Sequence, residues 1–197
     1  MQYDRQKFLE AVKAELEPNI VNHSLALEAC MGGIYDYLHA RGELEKELDR
    51  DDWLLAGLIH DIDFGEEFKQ DHPNKTLEAL AKYGIEISGP IHQTILAHGP
   101  EFSGVYPQTK AEWALFCADS LTGLITAVAL VYPTQKLDIV KLSSIMKRFL
   151  KQPNFAAGTR RNEVAMCEKA EGLNIPLEKF AEICLESMKK ISSEIGL

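Results

Sequence analysis

Asp52-Trp53-Leu54-Leu55-Ala56-Gly57-Leu58-Ile59-His60-Asp61 is a helical run that ends on an imidazole and a carboxylate side by side. Asp51 is a good cap for it, and the helix is expected over Asp52 to His60. Inside a regular helix, neighbouring side chains point about 100° apart and do not share a target. Where the helix frays into a loop, both can turn toward one ion. Imidazole with carboxylate is a hard-to-borderline donor set, suited to Fe, Mn, Ni, Co or Zn.

Outward from this run the chain reads as helix after helix. Tyr3 to Leu16 is amphipathic and is expected to stop near Pro18. Asn22 can cap a second helix that reaches His39 or Ala40. After His60, the stretch from Ile62 to Asn74 has no period and reads as a loop, with Gly65 and Pro73 as breakers. Lys75 to Tyr83 is a fourth helix closed by Gly84. A fifth starts at Ser88-Gly-Pro90 and ends at Gly99-Pro100. Gly99 to Gln108 is a second loop. Thr109 caps a long sixth helix to Val131. Leu137 to Leu150, Arg160 to Ala170 and Pro176 to Ile195 complete the series. No alternating strand pattern, long repeat or dividing linker is present. The expected fold is all-α, in a single domain over 1–197. Its metal-binding core covers about 20–132, and C-terminal helices over 137–197 pack on it.

The 197 residues carry a net charge of −9 and are 46% hydrophobic, enough to fill a core but without the basic stripe of a nucleic-acid binder. Cys30, Cys117, Cys167 and Cys184 are far apart within apolar helical patterns, so reduced core thiols are expected. The polar start carries no secretory signal. Ala114 to Tyr132 is apolar, but Asp119 interrupts it and Ser120, Thr122 and Thr126 add polarity, so no membrane span is expected. A cytoplasmic location follows from the same signals.

Asp119 stands in Ala114-Leu-Phe-Cys-Ala-Asp-Ser-Leu-Thr-Gly-Leu-Ile125, an otherwise apolar helix centre, where a carboxylate must be paired, hydrogen-bonded or metal-bound. His23 falls at an expected helix start, His60 and His98 at helix ends, and His72 in a loop beside Pro73. Helix termini are where side chains from different helices converge on a point. His39 and His92 fall elsewhere on their helices and read as bystanders. The stripe Phe180, Ile183, Cys184, Met188, Ile191 has helical spacing and reads as core packing or a homodimer face.

His23, then His60-Asp61, then Asp119 resembles the signature of the HD-domain superfamily of metal-dependent phosphohydrolases. His72 and His98 resemble the additional ligands of its two-metal version. His60-Asp61-Ile62-Asp63, Ala118-Asp119-Ser120-Leu121-Thr122-Gly123-Leu124-Ile125 and Phe155-Ala156-Ala157-Gly158 ahead of Arg161 are similar to a bacterial subfamily of predicted HD hydrolases. The resemblance implies an HD-like helical bundle with one or two divalent transition-metal ions. It implies His23, His60, Asp61 and Asp119 around one ion, and His72 and His98 on the second, with Asp61 bridging. It also implies hydrolysis of a small phosphorylated substrate, such as a phosphate ester or nucleotide, by a metal-activated water. The same ligand set is similar to that of the di-iron oxygenases of this superfamily, and a non-catalytic, metal-stabilised binding module is a third reading.

Many HD proteins place a Lys or a Glu-Asp pair soon after the His-Asp. Here Asp63-Phe64-Gly65-Glu66-Glu67 stands instead, with Lys69 later. Asp63 is the candidate for orienting a ligand histidine or water. Glu66 and Glu67 read as solvated. Cations for a substrate phosphate are expected in Arg161, which follows a turn into a helix, and in Lys147 and Lys110. The loop Gly99 to Gln108 reads either as a lid or as an inert connection.

Overall fold

A computed structural model describes residues 3–44 and 47–197. Among the described residues every regular element is helical: α1 (Arg5–Glu15), α2 (Pro18–Ala40), α3 (Arg50–Ile59), α4 (Thr76–Ala81), α5 (Gly89–Leu96), α6 (Pro100–Ser103), α7 (Lys110–Leu130), α8 (Leu142–Lys151), α9 (Arg161–Ala165) and α10 (Leu177–Lys190). Short 3-10 turns at Leu137–Ile139 and Met166–Glu168 split two stretches expected as single helices.

Local chemistry explains where these helices begin. Pro18 opens α2 instead of only closing α1, because a first-turn residue needs no N–H and proline's φ is already helical. Asn22 is therefore interior, and His23 lies in the second turn of α2 rather than at its start. Asp49, not Asp51, caps α3: it accepts the Asp52 N–H, and the Asp52 carboxylate accepts the Asp49 N–H. The same reciprocal box, Thr109 with Glu112, starts α7 where expected. The second loop holds one turn of helix, α6, closed by Gly104 at φ 72°.

α2 and α7 are the central helices. α2 packs on α3, α10 and α7, while α7 also packs on α3, α5, α8, α9 and α10. By length and composition α7 is apolar enough to cross a membrane, but 61% of its apolar window is buried inside the fold. One continuous cluster of buried side chains runs from Phe8 to Leu197. The four cysteines are buried and free. Phe180, Cys184 and Met188 of α10 are fully buried in this core, so their stripe is core packing.

α2 and α3 approach closely at Gly57. A Cβ there would lie 2.9 Å from both Cα and N of Glu28, which is backbone and cannot yield. The glycine lets the two helices cross in contact one turn before His60 and one turn after His23. The site therefore depends on this crossing.

Candidate metal centre

Five segments deliver the six ligand candidates to one place. His23 comes from α2, His60 from the C-terminal end of α3, and Asp61 from the turn that follows. His72 comes from the α3–α4 loop, His98 from just past α5, and Asp119 from the middle of α7. His23 Nε2 lies 3.2 Å from His60 Nε2 and 3.0 Å from Asp119 Oδ1. Asp61 Oδ2 lies 3.2 Å from His60 Nε2 and 3.7 Å from His23 Nε2. On the other side, His72 Nε2 lies 3.1 Å from His98 Nε2, and Asp61 Oδ1 lies 3.4 Å and 3.9 Å from these two nitrogens. Asp61 thus turns one oxygen to each pair of histidines. His23, His60 and Asp61, and separately Asp61, His72 and His98, can each hold a metal ion.

The far nitrogen of every ring is held by an acceptor. His60 Nδ1 donates to Gly57 O at 2.9 Å, and His98 Nδ1 donates to Ile95 O. His72 Nδ1 donates to Asp63 Oδ1 at 2.7 Å. The Thr122 hydroxyl spends its proton on Asp119 O at 2.6 Å, so its oxygen accepts from His23 Nδ1 at 3.0 Å. With Nδ1 protonated, each neutral imidazole turns an Nε2 lone pair inward. Two close Nε2–Nε2 contacts between lone pairs are relieved by a proton on one nitrogen or by a metal ion among them. The donor set therefore fits a metal ion, as the sequence suggested.

Protons respond to the same field. Burial disfavours charge on His23, yet the Asp119 and Asp61 carboxylates outweigh it and raise its pKa. Burial, reinforced by His60 and His72, pushes His98 down to about 4. Burial also opposes charge on Asp61 and Asp119, but His60 and His23 hold Asp61, and His23, His60 and His98 hold Asp119, well below the usual carboxylate range.

The centre opens into a cleft of about 500 Å³. Ile20, Phe64, Pro100 and Phe102 form an apolar rim, and Phe102 is 71% exposed. Gly99 to Phe102, the front of the second loop, thus borders the cleft. Arg160, Glu101 and Glu163 supply its charges beyond the ligands.

Asp63 does not face this cleft. It is fully buried, with Oδ1 on His72 and Oδ2 accepting the Lys75 backbone N–H at 2.8 Å. It is a positioning residue that orients His72 and does not border the cleft. Arg161, expected to meet a substrate phosphate, does not. Its guanidinium donates to the carbonyls of Phe149, Thr159, Gln152 and Phe155, so it braces the loop and does not reach the centre. Lys147 is exposed on α8 and does not border the cleft. Lys110 donates to Gly172 O at 2.7 Å, at the N-terminal end of α7, and does not border the cleft. Glu66 and Glu67 are exposed as expected, with Glu67 paired to Lys82.

The cation that does reach the centre is Arg160. Its Nη2 donates to Asp119 Oδ2 at 2.6 Å, and its Nε pairs with Glu163. No sequence signal separates it from its neighbour Arg161. Thr122, by contrast, is three residues after Asp119 and so on the same helix face, a spacing that could have flagged it.

The fold and the centre define an all-α protein with a buried His/Asp cluster able to bind metal, compatible with an HD-like fold. Comparison with protein-family models, curated proteins and solved structures finds no match to this chain.

Proposed function

We propose that this protein is a metal-dependent phosphohydrolase of the HD type, acting on a small phosphate ester. One observation carries the reading: a single carboxylate, Asp61, stands between two histidine pairs with one oxygen toward each, at the floor of an open cleft. His23, His60, Asp61 and Asp119 would hold one ion, and Asp61, His72 and His98 a second. When bound, such ions neutralise charge on phosphoryl oxygens and lower the pKa of a water.

The chain's own residues do the rest. Gly57 O, Ile95 O, Asp63 and Thr122 hold each ring in the tautomer that leaves Nε2 available. The apolar rim of Ile20, Phe64, Pro100 and Phe102 accommodates the organic part of an ester and excludes water around it.

The test is phosphate release from a panel of phosphomonoesters and nucleotides by protein loaded in turn with Mn, Fe, Co, Ni or Zn. Turnover that disappears in Asp61→Ala, with the fold retained by circular dichroism, is the expected result. If no ester is hydrolysed while the Fe(II)-loaded protein consumes oxygen with a polyol or phosphonate, the reading yields to an oxygenase. If neither occurs, it yields to a binding module.

A further inference from the structure

We infer that Arg160 is the group that binds the substrate's anionic oxygens, a deepening that rests on the phosphoester reading. Among the described residues it is the only lysine or arginine lining the cleft over the His/Asp cluster. Among these residues it is also the only charged side chain that orients a ligand candidate and remains open to solvent. Its side chain is 45% exposed, whereas Asp63, which orients His72, is fully buried.

Geometry gives this guanidinium two tasks. Nη2 holds Asp119 Oδ2, which leaves Oδ1 facing His23 and His60. Nε is taken by Glu163, and Nη1 has no hydrogen-bond partner among the described residues. A fork with an uncommitted edge beside the cluster matches two oxygens of a tetrahedral anion. Burial works against the charge, but Asp119 and Glu163 keep the group cationic.

The loop that carries Arg160 is built to present it. Ala156 adopts φ 45°, a left-handed conformation unfavourable for a side-chain residue. The four carbonyl contacts of Arg161 lock the surrounding turn. Arg160 also stands where the cleft meets a second groove of about 370 Å³, lined by Ser120, Gly123, Ala157 and Gly158. An anion on Arg160 is therefore reachable from both sides.

The probe is inorganic phosphate, titrated calorimetrically into metal-loaded protein, so the outcome does not depend on turnover. Loss of a charge-assisted contact predicts affinity weaker by roughly ten- to hundredfold in Arg160→Ala, less in Arg160→Lys, at unchanged metal content by elemental analysis. Glu163→Gln removes a competing negative charge and is expected to tighten phosphate binding severalfold. Phosphate affinity that is unchanged in Arg160→Ala, or no phosphate binding by the wild type, overturns the proposal. If Arg160→Ala loses metal, Glu163→Gln decides, and no tightening there overturns it. Failure of the ester panel with these phosphate results intact would sink the hydrolase reading alone.

Discussion

Replacing Asp63 by asparagine changes one oxygen into an amide nitrogen and tests how the centre is held. Both carboxylate oxygens of Asp63 are in use, at 2.7 Å to His72 Nδ1 and 2.8 Å to the Lys75 N–H. An asparagine can satisfy only one of these donors. With its oxygen on Lys75, its NH2 faces His72, and the ring must move its proton to Nε2, the atom directed at His98 and Asp61. With its oxygen on His72, the NH2 opposes the Lys75 N–H in a fully buried position. Loss of a charge-assisted hydrogen bond costs about 1.5–3 kcal/mol. At this chain length that lowers the melting temperature of metal-free protein by roughly 3–12 °C. Loss of a histidine's orienting partner weakens metal affinity by about 10- to 100-fold. The effect should fall on the His72/His98 side, while the ion at His23/His60/Asp119 is retained. Differential scanning calorimetry and metal titration with elemental analysis read both quantities. Wild-type melting and two equal metal equivalents in Asp63→Asn would refute the orienting role.

Two other perturbations follow from the same geometry. Gly57→Ala drives a methyl into the Glu28 backbone, so α3 must move off α2. A loss of about 1–3 kcal/mol in chemical denaturation is expected, with weaker metal binding as His60 leaves His23; unchanged stability contradicts the close crossing. In metal-free protein, burial pushes His98 from its ordinary 6.5 down to about 4. Between those values the unfolded chain takes the proton first, so this group's stability contribution is lost as pH falls, by up to about 1.4 kcal/mol per unit. His23 has the opposite sign, its raised pKa stabilising below the unfolded value and fading as pH rises through the folded one. Denaturation midpoints between pH 6.5 and 4.5 should therefore fall less in His98→Gln than in wild type; parallel curves would reject the assignment.

Much of the centre was legible in the residues. Asp119 in an apolar helix, with an adjacent His60-Asp61 and histidines at helix ends, pointed to convergence, and the six side chains do meet. Asp63 was recognisable as an orienting group because it follows the pair within one turn. Helix starts were less legible. Pro18 can end one helix or begin another, and two aspartates, Asp49 and Asp51, could each cap α3. Capping competition is settled by which carboxylate finds a reciprocal partner, here Asp52.

By itself the sequence determined that the chain is helical and offered six candidate ligands by donor type, because hydrophobic period and donor type are local properties. Only the tertiary structure decided between Arg160 and Arg161. They are chemically identical neighbours, and which one reaches Asp119 depends on where the carbonyls of Phe149, Gln152, Phe155 and Thr159 capture the other. The need for glycine at 57 is likewise invisible until α2 lies across it, because that demand comes from a backbone 29 positions away in the chain.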